Sequence, residues 1–490
     1  MKTFFYPIFP SDFMKFRLLL VLLLLPLFWI GISNSHDWGD DYAQYLLQSK
    51  NLIENRPQTN SDLVFAEGQL PYAIIAYPVG FPALLAPVYS TFKLFIPPYL
   101  YLQTLILILS AVLLFDYLKR SFDIKLSLLI AIFYAYNIIS QILKMEILSE
   151  FPFTLILLLI VLSLGSKDKR AFLFAGILSG FLMSFRVSGL VILPAVFGWI
   201  LFMQKEIPIQ KRLLNFGVFS SLAIAVFIIL NCILFDIDIR NFVQFYAGQF
   251  EANRMRVPSN FVGFFEKIAA AFIPTFTSVI ITILILILTI TGFYKKFKEK
   301  EVAEWFFICY LLLIVLYPYS SSGLRFIYPV LPFILIYFVK GFQTFYHLLS
   351  SKDRSFSILT IIFSVSIILS YKVLNSLPPA DGPYANDARA MLNFIRDETP
   401  ADAIVLFSRA RAINLYSERR STFLIQHKNE QENLANLRAL SCDYVLYPDE
   451  RSGAFNQSLQ DFLMINKSEF DTIYKENRYL LLKMKAVNHP

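Results

Sequence analysis

A series of long apolar runs separated by short basic clusters constrains the fold of this 490-residue chain more than any other feature. The runs approach the roughly 20 apolar residues that a helix needs to cross a hydrocarbon core about 30 Å thick. Only 16% of the residues are charged, whereas soluble domains carry about 25%. The sequence therefore predicts a polytopic α-helical membrane protein with about eleven spanning helices. These are expected at 16–33, 98–118, 126–143, 151–165, 171–185, 187–203, 213–235, 269–293, 303–319, 326–342 and 355–374.

The basic clusters predict the orientation, because Lys and Arg concentrate on the cytoplasmic side of membrane proteins. Counting alternately from a cytoplasmic amino terminus puts the clusters inside, at 119–125, 167–170, 205–212, 295–300 and 352–354. The same count puts outside 34–97, 144–150, the turn at Arg186, 236–268 and 320–325. We therefore expect a multi-pass protein of a bacterial cytoplasmic (inner) membrane. A signal peptide cleaved near Ser33 is the alternative for the first run, which is however long enough to span.

One apolar stretch decides whether this count holds. Phe81–Ile96 is interrupted by Pro82 and Pro87, and counting it as a span would invert every later loop. We interpret it as a helix lying at the outer interface. The net charge of +8 comes from the short clusters between apolar runs, so it does not indicate a nucleic-acid partner.

Beyond Leu374 the composition changes, because residues 376–490 are rich in charges and contain no spanning run. The chain thus divides into a membrane module at 1–375, with its first outer loop at 34–97, and a soluble extracytoplasmic α/β domain at 376–490. Strands are predicted at 402–407 and 443–447, helices at 385–398 and 429–440, and a hairpin at 474–484. The tail has no glycine-rich phosphate loop, which argues against a nucleotide site.

The acidic residues of the predicted outer loops are the first candidates for chemistry. Asp37, Asp40 and Asp41 lie within five residues, just past the first span. Such carboxylates can accept a proton from a nucleophile or hold a divalent cation, and their plain alternative is capping of the following helix. Glu146 and Glu150 lie in the second outer loop, just ahead of the fourth span. They are functional if they point into a cavity, and pairing with a nearby lysine is the alternative.

Arginines supply the opposite charge on the same predicted face. Arg186 and Arg325 interrupt apolar stretches, and a guanidinium group forks onto phosphate oxygens. Snorkelling to lipid headgroups is the alternative for each. The loop 236–268 adds further basic residues on an aromatic background, for which an interfacial helix is favoured: Arg240, Arg254, Arg256 and Lys267. A transferase that uses a phosphate-bearing lipid needs a base for the acceptor and cations for the leaving phosphate.

At these residues the chain resembles the GT-C membrane glycosyltransferases that use polyprenyl-phosphate sugars, such as protein O-mannosyltransferases and the aminoarabinose transferases of lipid A. The resemblance covers about residues 16–342. It rests on Asp40-Asp41 followed by Tyr45, Ser49 and Ile53, on the proline-rich stretch 77–85, on Glu150 ahead of a proline, on 180–189 with Arg186, and on 325–332 with Arg325 and Tyr328.

The resemblance implies inverting transfer from a polyprenyl-phosphate sugar to an acceptor glycan, lipid or protein at the membrane. Asp41 or Asp40 would act as the base, and Glu150 would orient the acceptor or assist the base. Arg325 and Arg186 would hold the phosphate. Tyr45, Tyr328 and Glu146 complete the predicted substrate-binding set. Members of the family differ in their use of a divalent cation. A transporter or flippase of lipid-linked glycan, or a polymerase of surface glycan, is the rival function.

Overall fold

The computed structural model of the chain describes residues 13–65, 75–166, 168–238, 257–274, 279–316, 323–346, 352–378, 380–425 and 429–485, and the single residues 240, 243, 244 and 247. The chain divides into two compact units. The helical unit comprises Met1–Ile32, Leu100–Leu234 and Gly248–Leu377. The mixed unit comprises Ser33–Tyr99, Phe235–Ala247 and Pro378–Pro490. The first loop thus groups with the C-terminal residues.

The α-helices of the described residues follow one another in chain order: α1 (Met14–Leu24), α2 (Asp40–Ile53), α3 (Gly80–Phe92), α4 (Pro97–Leu118), α5 (Ile124–Tyr136), α6 (Ile138–Lys144), α7 (Glu150–Leu164), α8 (Lys169–Phe185), α9 (Ile192–Met203), α10 (Ile209–Ile228), α11 (Val257–Ala270), α12 (Val279–Phe297), α13 (Val302–Leu316), α14 (Leu331–Tyr346), α15 (Lys352–Ser376), α16 (Asn386–Glu398), α17 (Ala410–Ser417), α18 (Glu430–Ala439) and α19 (Gln457–Ile465). The strands are β1 (Ile404–Leu406), β2 (Arg420–Thr422), β3 (Tyr444–Pro448), β4 (Phe470–Glu476) and β5 (Tyr479–Met484).

Long apolar helices confirm the predicted fold class of a polytopic helical membrane protein with a small C-terminal sheet. Within the described residues, five helices are long and apolar enough to cross a membrane: Pro97–Leu118, Ile209–Ile233, Val279–Phe297, Leu324–Tyr346 and Arg354–Ser376. The bent pair α5 and α6, which meet at 45°, makes a sixth if it forms one span. Shorter apolar helices occupy Glu150–Leu164, Val187–Met203 and Val302–Leu316. The count of about eleven spans stays a prediction.

The close packing of α12 on α14 in the helical unit depends on two glycines. A Cβ at Gly292 of α12 would overlap the carbonyl oxygen of Tyr337, and a Cβ at Gly341 of α14 would overlap that of Leu288. Small residues at such crossings let two backbones approach closely, which is how membrane helices gain packing energy without a hydrophobic driving force. The break between α5 and α6 has a different cause, because Asn137 caps α6 and donates to the Ala271 carbonyl.

The sheet lies in the mixed unit and has the strand order β2-β1-β3-β5-β4. β1 pairs in parallel with β2 and β3, whereas β5 pairs antiparallel with β3 and β4. The predicted strands, the two predicted helices and the closing hairpin are all present in the tail, but α17, β2 and α19 were not predicted. Leu63 of the first loop extends the sheet beside Ser421 of β2. The tail and the first loop therefore share backbone pairing.

The proline-interrupted stretch forms α3, which belongs to the mixed unit. Its 13 residues would extend only about 20 Å at 1.5 Å per residue, which is too short for a hydrocarbon core of about 30 Å. Ser49 of α2 donates to the carbonyl oxygen of Pro82 at 2.9 Å, so α3 packs on α2. That residues 81–96 do not cross the membrane stays a prediction.

Candidate active site

The acidic pair of the first loop, Asp40 and Asp41, forms the first turn of α2. Asp37 accepts the Gly39 amide at 2.8 Å just ahead of the helix, so a neighbouring carboxylate satisfies the amide at this end. Two acidic groups in a first turn are favoured by the helix dipole, which explains why the chain tolerates both here. Their carboxylates are engaged with other parts of the mixed unit.

Arg411 of α17 contacts both members of the acidic pair. Its Nη1 donates to Asp40 Oδ2 at 2.9 Å, and its main-chain amide donates to Asp40 Oδ1 at 3.3 Å. The same Nη1 lies 3.8 Å from Asp41 Oδ1. Tyr77 completes the cluster, because its hydroxyl donates to Asp41 Oδ1 at 2.5 Å and accepts from Arg411 Nη1 at 3.2 Å. Sequence reasoning missed Arg411 and gave Tyr77 no role.

The electrostatics of this cluster follow from burial and charge. Burial raises the pKa of Asp40 and Asp41 adds to the rise, while Arg411 opposes it. Burial alone would lower the pKa of Arg411, but Tyr77, Asp40 and Asp41 together raise it above its ordinary value. Burial and the Asp41 charge hold the pKa of Tyr77 well above its usual range. Arg411 is therefore a permanent cation, and Tyr77 remains a hydrogen-bond donor.

Buried amides of α2 place Tyr77 beside the acidic pair. Gln48 donates to the Tyr77 carbonyl and accepts the Tyr77 amide, each at 2.9 Å. One turn earlier, Gln44 donates to the Ile75 carbonyl at 3.0 Å. Residues four apart share one face of a helix, so these two amides hold the segment that carries Tyr77. Gln at helical spacing behind the acidic pair is the sequence signal that could have indicated this arrangement.

Tyr45, a predicted substrate-binding residue, is a packing residue in the structure. It is 3% exposed, and its ring lies 4.9 Å from that of Tyr77 and 4.8 Å from that of Phe81. Ser49 bonds to the Tyr45 carbonyl as well as to α3. Asp41, Tyr45, Ser49 and Ile53 all lie on α2, as the helical spacing predicted, and Tyr45 and Ser49 hold this helix against its neighbours, whereas Ile53 is exposed.

Trp38 connects the start of the acidic helix to the sheet of the tail. The indole is 2% exposed and donates to the Tyr479 hydroxyl at 3.1 Å. Its ring lies edge-on to Phe407, 5.2 Å between centroids. Since Trp38 is only two residues ahead of Asp40, the tail controls where the acidic pair lies.

The helical unit contains a second charged cluster, centred on Glu150 at the start of α7. Glu150 is 1% exposed. Its Oε1 forms ion pairs with Arg186 Nη1 at 2.6 Å and with Arg325 Nε at 2.9 Å. Arg186 also donates to Ser149 Oγ at 3.1 Å. The ring of Phe326 lies 5.9 Å and 5.6 Å from the two guanidinium carbons. Within the described residues, two guanidinium groups therefore meet at one carboxylate oxygen.

A tight turn presents Arg186 to this cluster. Arg186 is the C-cap of α8 and has an extended backbone conformation. The Gly189 amide donates a hydrogen bond to the Arg186 carbonyl oxygen at 2.8 Å. A Cβ at Gly189 would lie 2.8 Å from the Leu182 carbonyl oxygen, so the turn requires glycine. The alternative pairing of the glutamates with Lys144 is not what the structure has for Glu150. Lys144 donates instead to the Leu27 and Ile30 carbonyls.

The remaining predicted residues lie apart from these contacts or outside the described chain. Tyr328 is buried, and its hydroxyl pairs with that of Tyr134, which makes it a packing residue. Glu146 is half-buried in the turn between α6 and α7. Arg240 is exposed and pairs with Asp238, and Lys267 lies on α11. Arg254 and Arg256 lie outside the described residues.

A divalent cation does not fit the acidic pair as the structure arranges it. Carboxylate and hydroxyl oxygens are suitable ligands for hard cations. Here, however, the Asp40 carboxylate and the Tyr77 hydroxyl both accept hydrogen bonds from Arg411. Asp41 accepts a hydrogen bond from the Tyr77 hydroxyl. A guanidinium group therefore occupies the position in which a metal ion would neutralise the pair.

Comparison with known proteins establishes the fold. No family model and no curated protein matches the sequence. Among solved structures, the chain is similar to ArnT from Cupriavidus metallidurans bound to undecaprenyl phosphate, with TM-score 0.60 and 9% identity over 96% of this chain and 98% of that one. It is also similar to the oligosaccharyltransferase AglB from Archaeoglobus fulgidus.

One AglB structure holds an inhibitory peptide and dolichol-phosphate, with TM-score 0.59 and 11% identity over 91% of this chain and 70% of that one. Another is a complex with Zn and sulfate, with TM-score 0.58 and 12% identity over 89% and 68% of the two chains. ArnT and AglB are GT-C glycosyltransferases with prenyl-phosphate donors. The chain has their fold, so the resemblance inferred from the sequence is confirmed at the level of fold.

Proposed function

We propose that this chain, which has the fold of GT-C membrane glycosyltransferases, transfers a sugar from a polyprenyl-phosphate donor to an acceptor on the outer face of the cytoplasmic membrane. The observation that carries the proposal is the pair of guanidinium groups on Glu150, at 2.6 Å and 2.9 Å from one carboxylate oxygen. Guanidinium groups fork onto phosphate oxygens, so two arginines brought together at one carboxylate oxygen suit a phosphate monoester or diester.

The two arginines would stabilise the leaving group. When the anomeric C–O bond breaks, the bonding electrons go to the phosphate oxygen, and charge develops there. Preorganised cationic donors aimed at developing charge are the largest single source of catalysis in many enzymes. Arg186 is held by Glu150 and Ser149, and Arg325 by Glu150. Their positions thus need no reorganisation during the reaction.

The acidic pair would supply the base. An acceptor hydroxyl or amine attacks the anomeric carbon, a new bond to that carbon forms as the phosphate departs, and the acceptor proton passes to a carboxylate of Asp40 or Asp41. Direct displacement inverts the configuration at the anomeric carbon. A positioned base of this kind accelerates such reactions by about 10²–10⁴-fold. The acceptor class is a lipid, a glycan or a protein at the membrane surface.

The proposal is tested by turnover with purified protein in liposomes and a panel of polyprenyl-phosphate hexoses and pentoses. Mass spectrometry would follow released polyprenyl phosphate and the glycosylated product together. Arg325→Gln is expected to reduce turnover by about 10²–10³-fold, the usual effect of removing one charge-stabilising donor. Arg170→Gln is the matched control, because this exposed arginine lies in the first turn of α8, within a basic cluster predicted to be cytoplasmic. The turnover of this variant should equal that of the wild type.

Two results would contradict the proposal. Unchanged turnover in both Arg186→Gln and Arg325→Gln would remove the phosphate-binding role. Movement of labelled donor across the liposome membrane without release of polyprenyl phosphate from any donor would identify a flippase instead.

A further inference from the structure

The acidic pair already has a cation, and the soluble tail supplies it. Arg411 is 4% exposed and lies on α17, more than 350 residues along the chain from α2. The guanidinium group contacts Asp40 at 2.9 Å, Tyr77 at 3.2 Å and Asp41 at 3.8 Å. Three oxygens of the first loop thus converge on one nitrogen.

The charge balance of this cluster differs from that of a metal site. The guanidinium group in contact with the pair carries one positive charge, and Arg409 also acts on Asp40 through its charge, whereas a divalent cation would bring two charges into direct contact. Arg411 neutralises Asp40 more than Asp41. Asp40 accepts both the side chain and the main-chain amide of Arg411, while Asp41 is farther from the guanidinium and accepts a neutral hydroxyl.

We infer that Arg411 is the built-in counter-cation of the acidic pair, so that Asp40 and Asp41 act without a divalent ion and Asp41 is the base. The assignment of Asp41 as the base rests on the proposed function. The exclusion of a metal ion from the pair does not. Arg411 is a positioning residue, since it acts through the two carboxylates.

The contacts of the tail support this assignment. Ser421 exchanges main-chain hydrogen bonds with Asp62 and Val64 at 2.9 Å each, and Asn414 donates to the Ser61 carbonyl. These bonds hold α17 and β2 against the first loop. The guanidinium is therefore delivered by a packed interface, in which a buried cation is retained only if it is paired.

Manganese binding provides a test that does not depend on turnover. Full-length protein in detergent would be titrated with Mn²⁺ and followed by electron paramagnetic resonance. Arg411→Gln should gain one Mn²⁺ per chain relative to the wild type, because two carboxylates and a hydroxyl are then left to a hard cation. The gain should vanish in the double variant Arg411→Gln, Asp40→Asn. Equal Mn²⁺ stoichiometry and affinity in the wild type and Arg411→Gln would overturn the inference.

Turnover supplies the second measurement. Arg411→Gln is expected to lose about 10- to 100-fold in turnover, as do enzymes that lose a group orienting a reactive carboxylate or ligand. Added guanidinium ion should restore part of this loss in Arg411→Ala but not in the wild type, which a purely structural role would not produce. Arg438→Gln, another tail arginine paired with a carboxylate, is the matched control and should keep turnover to within about twofold.

The outcomes separate the two proposals. If no donor supports turnover but the Mn²⁺ gain is observed, the proposed function fails and the counter-cation stands. If Arg411→Gln is not recovered in folded form, Arg411→Lys takes its place, because lysine keeps the charge. That variant should still exclude Mn²⁺ from the pair, and its gaining an Mn²⁺ site would contradict the inference.

Discussion

The comparison of Asp41→Asn with Asp40→Asn tests the chemistry of the acidic pair most directly. In the wild type the Tyr77 hydroxyl donates a hydrogen bond to Asp41 Oδ1 at 2.5 Å. An asparagine at position 41 keeps an oxygen that can accept this hydrogen bond. The substitution therefore removes the charge and the basicity with little change in packing. Loss of a positioned base lowers turnover by about 10²–10⁴-fold, which corresponds to roughly 3–5 kcal/mol at 1.36 kcal/mol per tenfold change.

Asp40→Asn should behave differently from Asp41→Asn, because Asp40 lies closer to Arg411 than Asp41 does. At an effective dielectric constant of about 20, attraction across 2.9 Å for Asp40 and 3.8 Å for Asp41 amounts to roughly 6 and 4 kcal/mol before desolvation. Asp40 is thus the main charge partner of Arg411. We expect Asp40→Asn to cost about 2 kcal/mol of stability, since removing one partner of a largely buried pair is destabilising. Its turnover should fall by only about tenfold.

The assay measures initial rates of polyprenyl phosphate release over a range of donor concentrations, together with thermal unfolding of each variant in detergent. The expected result is a large fall in kcat for Asp41→Asn with an unchanged Tm. For Asp40→Asn we expect a lower Tm and a smaller fall in kcat. A larger kcat loss in Asp40→Asn than in Asp41→Asn would refute the assignment of Asp41 as the base. Undiminished turnover in both would remove the pair from the mechanism.

Three further predictions concern stability. Glu150→Gln removes the shared charge partner of two guanidinium groups and should lower the unfolding midpoint, with a cost of about 3 kcal/mol; an unchanged midpoint would contradict this. Gly341→Ala places a methyl group on a carbonyl of α12 and should abolish monodisperse expression, whereas Gly217→Ala, which meets no atom within 4 Å, should express normally. Asp387 accepts two bonds from Arg478 at 2.7 Å, and these bonds lower the pKa of its carboxyl. Its contribution to stability is therefore complete above pH 3.8, the unfolded value, and is lost as pH falls through the lower folded value. The destabilisation in Asp387→Asn should accordingly be constant from neutral to mildly acidic pH in thermal unfolding and shrink only below that window; a constant difference at all pH values would refute it.

Local patterns in the sequence predicted much of the fold. Periodicity gave the helix at Tyr45 and Ser49, and alternation gave β1, β3 and the closing hairpin. These features depend on neighbours within about ten residues, so a single sequence contains them. The proline-interrupted stretch 81–96 was likewise predicted to be helical, and α3 occupies Gly80–Phe92.

The contacts between charged groups were only partly predictable. The cluster of Glu150, Arg186 and Arg325 was suggested by the count of spans, which put all three on one predicted face. The sequence did not indicate that both arginines contact the same oxygen of Glu150. A topology count determines a side of the membrane, but it does not determine which side chains on that side meet. The choice depends on helix crossings such as that at Gly341, which sequence periodicity does not specify.

Arg411 shows why the rest could not be predicted. Its pairing with Asp40 and the burial of Trp38 against Tyr479 join residues more than 350 positions apart. Arginine on a short helix is ordinarily a solvated residue, and only the packing of the tail on the first loop turns it into a buried cation. The acidic motif alone is therefore an incomplete guide to chemistry, because adjacent aspartates are suitable ligands for a divalent cation, whereas here a distant segment supplies an arginine to them. A residue with opposite charge, near a predicted buried strand of the C-terminal domain, is the feature to seek in other chains of this fold before a metal ion is assigned to their acidic pair.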